Sequence, residues 1–422
     1  MPEIAELERA LELYKGVGEV SALINAINDF DEVLTAILDV ARRVMAAEAS
    51  SLFLLDEHGD LRLAIARGPM GEVPAAHIVI PRGRGIAGWV LENRKSALVE
   101  DAYADPRFYP DVDKISGFHT RALLCAPLMR DGSAIGVLQV LNSCGRASFN
   151  ATELEAFEAY ACLAASAIER SRTLQQQREQ EWLRRELALA HEIQASFLPQ
   201  SLPELPGVKF AAAYQPARTV GGDFYDVIQL GPDEIFFVIG DVSGKGIPAA
   251  LLMAQSLSTL RLIMRPQLAP ADALQSWNGA LIGRTIRGMF ITALLGKITP
   301  SERRVEWASA GHCPPFRVSA DGVSDIPMCG APPLGILPDC NYAANALTLA
   351  CGECLVFFTD GLTESFDPAD VPLDRDGVRK ILGSGNNLSA SGLVSALCRG
   401  EKEHRKDCEP NDDLTLLVCG FC

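Results

Sequence analysis

The chain has no run of eighteen or more apolar residues; its longest uncharged candidate, Gly246 to Leu260, is interrupted by Gln255, Ser256, Ser258 and Thr259. That pattern excludes a membrane-spanning helix. The start, Met1 to Glu8, is acidic and lacks both a basic n-region and a cleavage site, so no signal peptide is expected. Basic charge is also short: 38 Lys and Arg stand against 54 Asp and Glu, a net charge of −16. Such a surface repels phosphate backbones and acidic lipid, which excludes nucleic acid and membrane as partners. Cysteine is plentiful, with 12 residues, but the thiols crowd towards the C-terminus. Without an export signal they point to reduced thiols or a metal site rather than a disulfide framework, and the expected location is cytoplasmic.

Proline and glycine are absent from residues 153–198, and the stretch Glu169 to Glu192 is dense in Gln, Glu and Arg. Trp182, Leu183, Leu187, Leu189, Ala190, Ile193 and Phe197 form an apolar stripe at roughly 3.5-residue spacing. This predicts a coiled-coil linker helix pairing with its copy in a homodimer, or else a helix lying on one of its own domains. Pro199, Pro203 and Pro206 end it.

On the N-terminal side, helical spacing is expected over residues 3–28, broken by Gly16 and Gly18, and again from Phe30 to Ala47. A hairpin of residues 50–56 and 61–67, strands at 122–127 and 134–142, and a helix from Thr152 capped by Asn150 or Thr152 complete a small α/β domain. From Val208 onward short apolar runs bounded by Gly, Pro and Asp alternate with helices at 247–263, 270–287 and near 390–403. The whole chain is of the α+β class. The expected domains are a helix over 1–19, a sensor over 20–168, a linker over 169–198 and a C-terminal domain over 199–422.

The chemistry sits in four places where a carboxylate meets the end of an apolar strand. Asp223 and Asp226 open one strand, Asp241 closes the run from Ile235, Asp360 closes the run from Leu355, and Asp412 with Asp413 opens the last. Ionised carboxylates there are costly unless paired or bound to metal, and no matching Arg or Lys flanks them in the sequence. Oxygen-only donors, without His or Cys, point to magnesium or manganese. Any one Asp-Gly pair reads as a turn; four such places together favour two ions that activate water for displacement at phosphorus. No cysteine lies in a phosphate-cradling loop and no Ser–His–Asp order is present.

The stretch Pro216 to Asp226, then GDVSGKG at 240–246, TDGLTE at 359–364 and NDDLT at 411–415, resembles the SpoIIE-like branch of the PPM, or protein phosphatase 2C-like, family. Residues 289–294, 310–315 and 333–336 fit the same pattern, which spans about residues 190–420. The resemblance to RsbU-type partner-switching phosphatases implies an αββα sandwich around two manganese or magnesium ions. Carried over, Asp223 resembles the first ligand, Asp241 the bridging ligand, the Val242 carbonyl another, and Asp360 and Asp412 the ligands of the second ion. Asp413 is the alternative to Asp412, and Asp226 an outer-shell group. Arg218 is off-register from the family's phosphate-binding arginine. His312 reads as structural, and Lys245 as a substrate contact or a solvated side chain. The implied activity is hydrolysis of phosphoserine or phosphothreonine on a small regulatory protein, a phosphorylated STAS-domain anti-sigma-factor antagonist.

Residues 20–170 resemble a GAF domain, through 50–56, 85–90, 101–108 and 123–142. Asn142 and Phe149 match the signature of its cyclic-nucleotide-binding members, whereas Ser143 replaces Lys and Glu153 with Leu154 replaces Asp-Glu, so the GAF ligand is left unassigned. Cys351 with Cys354 and Cys419 with Cys422 have the spacing of zinc ligands, the alternative being four reduced thiols. The rival to an enzyme is a metal-free pseudophosphatase scaffold.

Overall fold

The computed structural model describes residues 27, 29–69, 78–284, 288–384 and 388–421. The helix expected over 3–28 therefore lies outside the described residues except for residue 27. The chain divides into two units, Met1–Trp182 and Leu183–Cys422.

In the first unit, α1 (Phe30–Val44) is capped by Asp29, whose carboxylate accepts from the N–H groups of Asp31 and Glu32. It stops three residues short of the expected Ala47. Ala46 takes a positive φ, and Ala47 is drawn into strand pairing with Ser143. Next come β1 (Ala47–Leu55), β2 (Leu61–Arg67), β3 (Val79–Ile80), α2 (Gly85–Asn93), β4 (Ala97–Val99), α3 (Asp111–Ser116), β5 (Leu123–Arg130) and β6 (Ser133–Ser143). They form a six-stranded sheet of order β3-β2-β1-β6-β5-β4. Alternation along the strands gives it two apolar faces. Leu52, Leu138 and Val140 pack with Phe157 and Tyr160 of the next helix, whereas Phe53, Leu63 and Val137 pack with Val90 of α2.

That next helix, α4 (Ala151–Phe197), runs without interruption through the boundary placed at 168. No proline or glycine exists to break it. Its start is a reciprocal capping box: Glu153 N–H donates to Asn150 Oδ1 at 2.9 Å, and Asn150 N–H to Glu153 Oε2 at 3.0 Å.

The second unit contains β7 (Val208–Gln215), β8 (Phe224–Gly231), β9 (Glu234–Val242), α5 (Ile247–Ile263), α6 (Pro270–Leu281), β10 (Ile291–Thr299), β11 (Arg304–Ala310), β12 (Phe316–Ser319), β13 (Gly322–Asp325), β14 (Ala344–Thr348), β15 (Cys354–Phe358), α7 (Asp360–Thr363), α8 (Asp374–Ser384), α9 (Ala390–Arg405) and β16 (Leu414–Phe421). Two five-stranded sheets result, β14-β11-β10-β9-β8 and β13-β12-β15-β16-β7. Strand β9 explains the layering. Phe236 and Val238 pack under α5 and α6 with Met253 and Trp277, while Ile235, Phe237 and Ile239 face Phe357, Leu417 and Cys419 of the other sheet. The far face of that sheet, with Val356 and Phe358, packs against Val378 of α8 and Leu393 of α9. A strand buried on both faces must be apolar at every position, as residues 235–239 are. The order helix, sheet, sheet, helix is the expected αββα sandwich.

Strands β15 and β16 pair antiparallel, as expected, with Cys354 opposite Gly420 and Leu355 opposite Cys419. The same register separates the cysteines. Cys354 faces the α9 side, its thiol donating to Leu388 O, while Cys419 faces the inter-sheet core. Cys351 is exposed and Cys422 lies outside the described residues. Side chains on opposite faces of one sheet do not converge on one zinc, and no disulfide joins any of the eleven described cysteines.

Candidate metal centre

Asp223 precedes β8, Asp241 is the penultimate residue of β9, Asp360 follows β15, and Asp412 and Asp413 precede β16, so each carboxylate sits at a strand end. Asp223 is 1% exposed. Its Oδ2 accepts from the hydroxyls of Thr359 and Thr415, each at 2.7 Å, and Thr415 N–H donates to Thr359 Oγ1 at 2.9 Å. Both threonines belong to the opposite sheet, so Asp223 crosses between the two. Burial, then the charge of Asp241, hold Asp223 well above the usual carboxylate range. Burial, then Asp360, push Asp241 up to about 7, with Asp412 and Asp413 adding to the field. Asp360 is raised by burial and by Glu364 and Asp412. The centre thus holds more negative charge than its surroundings neutralise, a condition that divalent cations relieve.

Geometry separates the doubled aspartate. Asp413 is 7% exposed, and its Oδ1 accepts from Ala217 N–H at 2.8 Å, its Oδ2 from Gly222 N–H at 2.6 Å. Both oxygens are committed to the loop that delivers Asp223. Asp412 is half-buried, and its Oδ2 lies 2.9 Å from Lys245 Nζ. The expectation that no cation flanks these carboxylates is corrected here. Lys245 comes from the turn after β9, and only the fold brings it onto Asp412. In the same loop a Cβ on Gly222 would stand 2.7 Å from Val242 O and 3.4 Å from Asp241 Oδ1, so the approach requires glycine.

The donors offered are carboxylate and carbonyl oxygens, which suits magnesium or manganese. The buried Tyr214 hydroxyl, held above its ordinary range by burial and by Asp413 and Asp223, has no hydrogen-bond partner among the described residues. The residues fit such a centre in charge and donor type. Among the described residues no three His, Cys, Asp or Glu side chains are closed up as a finished shell. Ions would have to draw the carboxylates together.

The other candidates have partners of their own or face solvent. Asp226 pairs with Arg261 of α5, Nε to Oδ2 at 2.7 Å, which corrects its reading as an outer-shell group. Arg218 is exposed. His312 is buried beside Thr292, the strand partner of Asp241, with Nδ1 3.2 Å from Thr292 Oγ1. Burial pushes His312 down to about 4, which keeps it neutral.

Three residues at the end of α4 make contacts that sequence reasoning did not foresee, and Gln194 and His191 were not singled out at all. Gln194 is 4% exposed and clasps Gly221 through both ends of its amide, Nε2 donating to Gly221 O at 2.5 Å and Oε1 accepting from Gly221 N–H at 3.1 Å. His191 Nδ1 lies 2.7 Å from Thr219 O. The carbonyl of Phe197 accepts from Arg261 Nη2 at 2.7 Å. The last turns of the linker helix therefore hold the loop carrying Asp223. A polar side chain in a Gln-rich helix gives no sequence signal of this; Thr359 and Thr415, inside the quoted motifs, did.

The first unit has its own cavity, of about 100 Å³, lined by Ser51, Phe53, Phe108, Tyr109, Asp113 and Gln139 among others. Asn142 is a structural residue there, accepting from Arg121 and Ala122 N–H and donating to Glu48 and His119 O.

Residues 231–421 match the family model for stage II sporulation protein E (SpoIIE), and residues 29–168 match the GAF domain. The chain carries a GAF domain followed by a SpoIIE-type protein phosphatase domain. Protein IcfG of Synechocystis sp. is 30% identical over 264 residues, covering 56% of this chain and 41% of IcfG. The phosphoserine phosphatase RsbU of Bacillus subtilis is 28% identical over 241 residues, covering 57% of this chain and 71% of RsbU. The SiaA-PP2C domain of Pseudomonas aeruginosa superposes with a TM-score of 0.52 at 19% identity, over 58% of this chain and 99% of that domain, a likeness of fold. The matched residues 231–421 carry β9 to β16 with Asp241, Asp360, Asp412 and Asp413, while Asp223, β7 and nearly all of β8 precede them.

Proposed function

We propose that this chain is a metal-dependent protein serine/threonine phosphatase regulated through its GAF domain, with a phosphorylated STAS-domain protein as substrate. The observation that carries the reading is the convergence of Asp223, Asp241, Asp360 and Asp412 with almost no countercharge. Asp223, Asp241, the Val242 carbonyl, Asp360 and Asp412 would hold two manganese or magnesium ions. Asp413 is set aside because its oxygens already accept from backbone amides. Ions so held supply an activated water and charge at the phosphoryl oxygens. The chain's own part is positional. Thr359 and Thr415 fix Asp223, Asp413 shapes the loop before it, and Gln194 clasps that loop from α4. This clasp supports a route by which a GAF signal reaches the centre along the helix. Carboxylates at all four strand-end positions, Asp223, Asp241, Asp360 and Asp412, argue against the scaffold alternative.

A cytoplasmic homodimer through α4 belongs to the same proposal. Trp182, Leu183, Leu189 and Ile193 are each more than half exposed, a stripe suited to a second copy. No described helix is long and apolar enough to cross a membrane. The test is turnover of a phosphoserine STAS-domain protein with manganese or magnesium and with excess chelator. Turnover should vanish in chelator and return with the metal; equal turnover in both would overturn the mechanism.

A further inference from the structure

Lys245 lies in the turn between β9 and α5, between Gly244 and Gly246, both at positive φ. The turn carries its ammonium across to the other sheet. There Nζ sits 2.9 Å from Asp412 Oδ2 and donates to Asn411 O. Among the described residues, Asp223, Asp241, Asp360 and Asp413 have no cationic partner, so this ammonium is the countercharge the centre contains. The pair is wet: the Lys245 side chain is 41% and that of Asp412 33% exposed. Ion pairs of that exposure are weak and break at little cost. The oxygen that Lys245 holds is also a hard donor close to Asp360: a Cβ on the neighbouring Gly361 would stand 3.3 Å from the Asp412 carbonyl carbon.

A single carboxylate oxygen cannot serve an ammonium and a divalent ion equally well. We propose that Lys245 is an internal counter-ion that competes with a divalent cation for Asp412 and, once displaced, turns to the phosphate monoester of the substrate. This rests on the reading of Asp412 as a metal ligand. The released ammonium stays on its turn at the edge of the centre, within side-chain reach of incoming phosphate. A lysine is suited to both roles, being a compact point charge on a flexible four-carbon stem. The device keeps one acidic residue neutralised when metal is scarce, and makes loading and substrate binding use the same side chain in turn.

The experiment is manganese binding to the full chain, read by the electron paramagnetic resonance of free Mn²⁺, for the wild type, Lys245→Met, Lys245→Arg and Asp412→Asn. Lys245→Met should bind the weaker ion about two- to fivefold more tightly, the range that an exposed ion pair can hold back. Lys245→Arg should stay near the wild type. At saturating manganese, Lys245→Met should raise KM for a phosphoserine peptide. A lysine that only braces its turn would weaken both metal and substrate, so effects of opposite sign identify the competitor. Unchanged or weaker manganese affinity in a Lys245→Met or Lys245→Gln protein of unaltered melting temperature would overturn the inference. Asp412→Asn separates the two failures. If it retains both ions, the reading of the centre falls; if it loses one while Lys245→Met binds no tighter, only the role of Lys245 falls.

Discussion

Asp113 of the GAF domain and Asp223 of the phosphatase domain are both buried carboxylates, yet their surroundings differ. Asp113 accepts from Thr120 N–H at 2.8 Å, Thr120 Oγ1 at 2.7 Å and Tyr103 OH at 3.2 Å, and no second carboxylate faces it in these contacts. Asp223 also accepts two hydroxyls, but it faces Asp241, and behind that lie Asp360, Asp412 and Asp413. In the first domain a buried charge is spent on architecture around a largely apolar cavity. In the second, architecture holds charges together against their repulsion. Buried carboxylates that remain underneutralised mark a centre meant to receive cations.

Substitutions can break this contrast. The largest expected effect is on Asp241→Asn, which should cut phosphatase turnover by about a hundredfold or more. Without metal its melting temperature at pH 8 should hold or rise. A carboxyl whose folded pKa lies above its unfolded value destabilises the fold as pH rises through that interval, and asparagine removes the charge. Asp113→Ala should behave oppositely, destabilising the GAF domain by about 2–3 kcal/mol in urea unfolding with kcat intact, because it strands the donors of Thr120 and Tyr103. A loss of turnover in Asp113→Ala, or unfolding of Asp241→Asn, would erase the distinction. Gln194→Ala lies between the two classes. It leaves both backbone groups of Gly221 without their partner and should lower kcat/KM by about tenfold, equivalent to ~1.4 kcal/mol, with the manganese midpoint shifted in the same direction. The smallest expected change is Leu187→Asp, which should turn a sedimenting dimer into a monomer at micromolar concentration while basal turnover toward a small aryl phosphate holds.

Those contrasts also explain what was legible beforehand. Asp223, Asp241, Asp360 and Asp412 are each announced locally, by an apolar strand ending in an acidic or glycine-bearing turn. Helix α5 was placed at its observed ends because Gly246 and Pro248 mark its start. The short helices α2, α3 and α8 were not placed. They hold six to eleven residues, too short for a periodic signal to rise above their flanking turns. The GAF cavity left no pattern either, since its walls come from segments scattered over residues 49–141.

By itself, the sequence determined the α+β class, the breaker-free helical linker and the strand-end carboxylates, and its resemblance to a family implied the αββα sandwich. The first three are written in local alternation, in breakers or in their absence. Tertiary structure decided the rest. It committed Asp413 to backbone amides and left Asp412 to face Lys245. It sent Asp226 to Arg261, put Cys354 and Cys419 on opposite faces, and set Gln194 on Gly221. Each of those outcomes depends on partners 27 to 196 residues apart or on the register between two strands. No local spacing encodes such a choice, because which oxygen meets which donor is settled only when the two sheets close.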